Sequence, residues 1–222
     1  MKAITKAELE LFNKLNTSYE IINMPLNLNF PYKEILKEVE PLLDNFVTHR
    51  TNDNYNYNVH FGWKGLVLRG QHWFRTGDAL MGDPDHHWTE VANMLDVTTE
   101  YFKSLPIDRK ERIRFMLLEP GGRIAEHQDV KKPRLFSAIN FCLTYPKGCT
   151  FHMNEQLVDW QPGDSRAMNL YFKHKCDNLS KERRLMMILH AKGLRYDNRF
   201  IRIVLNSYED TKYSRRIDYA NI

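Results

Sequence analysis

The chain reads as a mainly β fold, a sandwich or barrel preceded by helices, and two observations predict it. Beyond Pro106 the sequence breaks into short extended runs separated by Pro/Gly turns, a spacing typical of a closed or two-layered sheet. Before it, longer segments carry apolar residues at helical intervals.

In order, residues 6 to 16 have helical spacing. Residues 31 to 46 follow, with Ile35, Val39, Leu42 and Leu43 lining one face and Pro31 tolerated at the helix start. Tyr55 to Arg69 reads as a strand and Met81 to Asp85 as a loop. Residues 86 to 104 read as a third helix that buries Trp88, Val91, Met94, Leu95 and Phe102. Strands are then expected at 113–118, 134–143, 149–153, 156–160, 165–172, 183–190 and 199–207, with turns at Pro120-Gly121-Gly122, Pro146 to Gly148 and Pro162-Gly163. The expected organisation is one domain over 1–222: a mostly helical preface to 106 with its strand at 55–69, a β core over 107–208 and a C-terminal tail over 209–222.

Composition narrows the class. At 222 residues and 42% hydrophobic the chain can bury a sizeable core. A net charge of +4 with interspersed signs makes nucleic acid an improbable partner and leaves a small amino acid or peptide substrate open; oligomeric state is not legible. Cys142, Cys149 and Cys176 are odd in number and form no close-spaced metal motif, which predicts a reducing, cytoplasmic setting. The N-terminus has no apolar signal core and no run approaches membrane-spanning length, so no membrane partner is expected.

The chemistry concentrates around His127-Gln128-Asp129, followed 47 residues later by His174 and ten beyond that by Arg184. On an extended backbone residues two apart share a face, so His127 and Asp129 can bind one metal ion while Gln128 points away. His174 would complete a triad of two imidazoles and one carboxylate, which leaves positions open on a six-coordinate Fe(II) for a bidentate cosubstrate and O2. Arg184 offers the planar fork that a cosubstrate carboxylate needs. Nine His and 14 Asp in the chain give about 0.6 His-x-Asp pairs by chance, so order and spacing carry the weight.

From Arg114 to His190 the chain resembles the aspartyl/asparaginyl β-hydroxylase family, which includes bacterial free-proline hydroxylases, within the Fe(II)/2-oxoglutarate-dependent oxygenases. The blocks are Arg114 to Gly122 with Ile124 and His127-Gln128-Asp129; Tyr145-Pro146-Lys147-Gly148-Cys149; Asn154-Glu155; Trp160 to Asp164; and His174, Asn178, Ser180 and Arg184 at the family's offsets. One departure stands out: many members carry Arg-x-His before the Tyr-Pro-Lys turn, and here Ala138-Ile139-Asn140 takes that place.

The resemblance implies a double-stranded β-helix, a cupin-like jelly roll with helices packed on one sheet and ligands at one mouth. It implies Fe(II) on His127, Asp129 and His174, 2-oxoglutarate anchored by Arg184, and O2 consumed in hydroxylating an amino-acid C–H bond, free or in a peptide, with release of succinate and CO2. It selects Arg184 over Arg183. By alternation Asn140 and His190 are expected to face the same cofactor-binding cavity. A satisfied interior residue is the competing reading for His190, and helix capping competes with metal binding for His86 and His87 near Asp83 and Asp85. The aromatic group Tyr55, Tyr57, His60, Phe61, Trp63, His72, Trp73 and Phe74 fits core packing or a substrate wall. Two other functional classes stay open, a non-catalytic metal-binding jelly-roll sensor or binding module and a nucleic-acid demethylase.

Overall fold

The computed structural model describes residues 3–49, 60–73, 86–107, 110–191 and 197–220. The expectations for Tyr55, Tyr57, Phe74 and the loop Met81 to Asp85 lie outside these residues. Helix α1 (Lys6–Asn16) starts where predicted because Thr5 and Glu8 form a reciprocal capping box, and it buries Phe12 and Leu15. Strand β1 (Asn23–Pro25) and helix α2 (Tyr32–Val39) follow. The predicted helix to residue 46 is cut short: Pro41 cannot continue the α ladder, and Glu40–Asn45 tightens to a 3-10 helix before β2 (Val47–Thr48).

Strand β3 (His60–Gly70) pairs with β2 and with β4 (His87–Trp88). The third helix therefore does not begin at 86. His87 and Trp88 are committed to the sheet, Thr89 Oγ1 donates to Val67 O at 2.7 Å, and Glu90–Met94 is a 3-10 turn. Helix α3 (Asp96–Ser104) starts only where Glu38, reaching across from α2, accepts from the Val97 and Thr98 amides at 2.7 and 2.9 Å. A carboxylate at a helix N-terminus satisfies orphan donors and complements the dipole.

The remaining strands are β5 (Lys110–His127), β6 (Ala138–Thr144), β7 (Cys149–Met153), β8 (Gln156–Leu157), β9 (Ser165–Met168), β10 (His174–Asn178) and β11 (Arg184–Ala191). They form one antiparallel sheet in the order β1-β9-β6-β11-β5-β10-β7-β8, with β3 also on β5. The first half of β5 pairs with β11 and its last residues with β10, so this one long strand joins the two halves of the curled sheet. The result is the expected jelly roll, a double-stranded β-helix with helices on one face.

Three expectations change. The predicted turn at Pro120 to Gly122 is a bulge inside β5: three extra residues sit opposite β3 between the Phe61–Arg123 and Trp63–Leu118 pairs. Gly62, at φ 65°, backs onto it so closely that a Cβ there would lie 3.2 Å from Gly122 Cα. Next, β10 is a strand that the polar run from His174 to Asn178 concealed. Last, 199–207 is not a strand of the core but the start of helix α4 (Asn198–Ala220), which also runs through the expected tail boundary at 209. Asp197 launches it by accepting from the Arg199 amide at 2.7 Å, and Phe200, Ile201, Val204 and Leu205 are buried at helical spacing.

Strand alternation divides the core in two. Ile113, Phe115 and Leu117 of β5 with Leu185, Met187 and Leu189 of β11 pack under the helices. Met116, Leu118, Cys142, Met168 and Met186 face the barrel interior. Each fully buried side chain of this size contributes roughly 1.5–3 kcal/mol, so both faces hold the sheet in its curl.

Candidate active site

His127 ends β5 and His174 begins β10, and the two are direct partners across the ladder. Asp129 lies two residues beyond the strand end, where its amide donates to Leu170 O at 3.2 Å. The three side chains converge: His127 Nε2 is 3.6 Å from Asp129 Oδ1, His174 Nε2 is 3.6 Å from Asp129 Oδ2, and the three potential donor atoms lie within 4.8 Å of one another. Each imidazole is oriented by its other nitrogen. His127 Nδ1 lies 2.8 Å from Ala125 O and His174 Nδ1 3.0 Å from Phe172 O, contacts that assign the N–H to Nδ1 and leave the Nε2 lone pair aimed at the cluster. This set suits a divalent metal of intermediate hardness.

Around it is a cavity of about 510 Å3 lined by the triad, Trp63, Phe151, Asn140, Arg184 and His190. Arg184 is 5% exposed, with its guanidinium over the rings of Tyr145 and Phe151 at 5.6 and 5.8 Å. The Phe151 ring in turn stacks on His174, so Phe151 spaces Arg184 from the triad. Arg184 Nε has no hydrogen-bond partner among the described residues. A buried guanidinium left short of a partner is costly, and a ligand carboxylate is the group whose shape and charge match it. Arg183, one residue earlier, points outward to Glu119 at 3.1 Å and Asp44 at 3.2 Å. Strand parity thus separates the neighbouring arginines as expected.

Asn140 and His190 both line the cavity. His190 Nε2 is 3.5 Å from Arg114 Nη2, and burial, with Arg114 and Arg112 nearby, holds its pKa well below the ordinary histidine value. His60 and Trp63, read as wall or packing, pack against His127 with ring centroids 5.4 and 6.4 Å away. His86, expected as a helix cap, lines the cavity instead. His152 sits on β7 beside Leu157 and Lys175 and does not line it.

Two residues whose importance sequence reasoning underweighted are Asn178 and Arg114. Asn178 is fully buried, and its Nδ2 lies 3.0 Å from Leu118 O, 3.1 Å from Glu119 O and 2.8 Å from Glu182 O. Ser180 Oγ donates to Asn178 Oδ1 at 2.6 Å. Together they lock the turn that delivers Arg184, which explains the recurrence of His, Asn, Ser and Arg at these offsets. Arg114, the first residue of the resemblance, projects from β5 into the cavity; alternation from Met116 and Leu118 was the signal that could have found it.

Solved structures similar in fold include a prolyl-4-hydroxylase from Pseudomonas putida (10% identity, 83% of this chain and 97% of that one, TM-score 0.47). Another is a 2OG-Fe(II) oxygenase family oxidoreductase from Burkholderia pseudomallei (10% identity, 90% and 96%, TM-score 0.49). A third is a viral collagen prolyl hydroxylase from Paramecium bursaria Chlorella virus-1 (12% identity, 77% and 96%, TM-score 0.41). No curated protein sequence matches. The aspartyl/asparaginyl beta-hydroxylase family profile matches residues 29–192, which takes in the cavity walls, the triad and Arg184, and the chain belongs to that family.

Proposed function

We propose that this protein is an Fe(II)- and 2-oxoglutarate-dependent dioxygenase that hydroxylates a C–H bond of an amino acid, free or within a peptide. One observation carries the reading: the His127, Asp129 and His174 donors open into the same cavity as the buried Arg184 guanidinium. When bound, Fe(II) with 2-oxoglutarate and O2 supplies the oxidising chemistry that adds one oxygen to the substrate and releases succinate and CO2.

The chain's residues supply the rest. His127 and His174 offer Nε2 atoms fixed by their carbonyl contacts, and Asp129 adds one carboxylate, leaving sites open on a six-coordinate ion. Arg184 would take the distal carboxylate of the cosubstrate in a charge-assisted pair and so orient its reactive end. Phe151, Met116 and Met186 line the intervening wall and exclude water, which strengthens that pair. A metal-binding sensor has no use for a buried cosubstrate anchor, so Arg184 favours turnover. All three cysteines are free and buried, which suits a reducing compartment, and no helix among the described residues is long and apolar enough to cross a membrane.

The test is succinate release with Fe(II) and 2-oxoglutarate against a panel of amino acids and peptides, with mass detection of a one-oxygen gain. Activity that persists after chelation of the metal, or without 2-oxoglutarate, would refute the reading.

A further inference from the structure

The wall of the cavity holds a hydrogen-bonding group that its neighbours leave unsatisfied. Asn140 stands on the interior face of β6 between Ala138 and Cys142, lines the cavity and is 8% exposed. Its Oδ1 is buried with no hydrogen-bond partner among the described residues. The flanking strands show why. Ile188 of β11, directly opposite, is apolar. His190, on the diagonal across the same ladder, turns to Arg114, with Nε2 3.5 Å from Arg114 Nη2. Arg166, opposite on β9, is held over the Trp160 ring, where its Nη2 donates to Asp159 O at 2.8 Å and to Asp164 Oδ2 at 3.1 Å. A buried amide oxygen left unpaired lowers stability, and an apolar side chain of the same branching would remove that cost.

We infer that Asn140 accepts a hydrogen bond from the N–H of the substrate, and so selects and orients it in the cavity. The inference rests on the oxygenase reading of the site and deepens it by naming the substrate group that this wall recognises.

Three observations support it. The unmet demand is shared, because His86 Nε2, on the same cavity wall and near enough to His190 to bear on its charge, is also buried with no partner among the described residues. Two such groups on one cavity point to a polar ligand and not to a packing defect. The position is separate from the cosubstrate anchor: Asn140 faces Ile188, four residues along β11 from Arg184, about 13 Å at strand rise. The chemistry matches, since an amide oxygen is a neutral acceptor and an amino acid or peptide carries an N–H beside its α-carbon. The χ2 torsion of asparagine is broad, so Oδ1 can follow a ligand donor at little cost. Asn140 also stands where this chain departs from the Arg-x-His pattern of many relatives, which fits a residue that sets the substrate.

The experiment is anaerobic calorimetry on the Fe(II)-loaded protein, with and without 2-oxoglutarate. The probes are free L-amino acids and their N-acetyl derivatives, which separate an α-ammonium from an amide N–H as the source of the donor. The probe that binds best is then compared with its fully N-methylated counterpart, which has no N–H left. In the wild type, methylation is expected to weaken binding about tenfold or more. In Asn140→Ala the same methylation should change binding by less than about threefold, because the acceptor it affects is gone. The 2-oxoglutarate affinity should be equal in the two proteins, which reports an intact fold and keeps Asn140 apart from the cosubstrate. Asn140→Leu, which keeps the branching and removes the unpaired oxygen, should raise the Tm of the ligand-free protein by about 2 °C or more. Equal methylation costs in wild type and Asn140→Ala, a fall in 2-oxoglutarate affinity with probe binding unchanged, a Tm for Asn140→Leu at or below wild type, or no binding by any probe would each overturn the inference. If instead 2-oxoglutarate fails to bind the wild type, or binds Arg184→Met equally well, it is the oxygenase reading that falls. The methylation comparison without 2-oxoglutarate stands apart from that result.

Discussion

Replacing Asn178 by alanine tests the device that delivers Arg184 to the cavity. Its Nδ2 serves three backbone carbonyls at 2.8–3.1 Å, and its Oδ1 accepts from the Ser180 amide at 3.2 Å and the Ser180 hydroxyl at 2.6 Å. An amide has two N–H protons, so at most two of the three carbonyls are fully served at once. Two donated and two accepted bonds at about 0.5–1.5 kcal/mol each set the loss at about 2–6 kcal/mol. For a chain of this length that is a fall in Tm of about 4–24 °C, read by circular dichroism, with the free energy itself from urea unfolding. Ser180→Ala removes the hydroxyl that donates to Asn178 Oδ1 and accepts from the Glu182 amide but keeps the Ser180 amide bond, and should cost about 1 kcal/mol. Asn178→Asp keeps the shape but faces a carboxylate toward three carbonyls, so it should be at least as damaging as alanine. Since the Glu182 carbonyl lies two residues before Arg184, weaker 2-oxoglutarate binding should accompany the loss. A Tm for Asn178→Ala within about 1 °C of wild type would show that the network does not hold the turn.

Further outcomes follow from the same geometry. His127→Ala or His174→Ala should lose tight Fe(II) binding in anaerobic titration, because each removes one of two imidazole donors; unchanged affinity in both variants would defeat the metal assignment. Arg184→Lys keeps the charge but loses the fork, so the 2-oxoglutarate requirement should rise about tenfold or more. Arg183→Lys alters only two partly exposed ion pairs, each worth at most about 1 kcal/mol, and should leave that requirement unchanged; the reverse ranking would mean that the strand register is wrong. His190 has a folded pKa depressed below its unfolded value near 6.5, so below that pH the unfolded chain takes up a proton that the folded one refuses. Stability should fall on acidification through that window with a slope of up to about 1.4 kcal/mol per pH unit from this group, and His190→Gln should flatten it. An unaltered pH slope in urea titrations of that variant would count against a neutral interior His190.

The sequence by itself determined what rests on local periodicity and on fixed offsets. Helix α1 was legible because its capping box and buried face all lie within eleven residues. The parity of β11 was legible because side chains alternate on any strand, and the offsets of the family resemblance chose Arg184 over Arg183 as the inward member. The same rule placed Asn140 and His190 on the cavity wall. His127, Asp129 and His174 could be nominated by residue type and order, but the approach of His174 to His127 comes from the ladder between β5 and β10.

Tertiary structure decided the elements whose local signal was ambiguous. Residues 199–207 are rich in β-branched and aromatic side chains and read as a strand; they are helical because burying Phe200, Ile201, Val204 and Leu205 together needs helical spacing. The Pro120 to Gly122 turn became a bulge because β3 continues to pair on both sides of it and Gly62 leaves room for the extra residues. The start of α3 depended on Glu38, some sixty residues away. The setting of Arg114 depended most on the fold, since a lone arginine in an apolar strand does not show which strands will flank it. The pairing of β11 with both β5 and β6 sets Arg114, Ile188 and Asn140 side by side on the cavity wall, an arrangement of residues far apart in the chain.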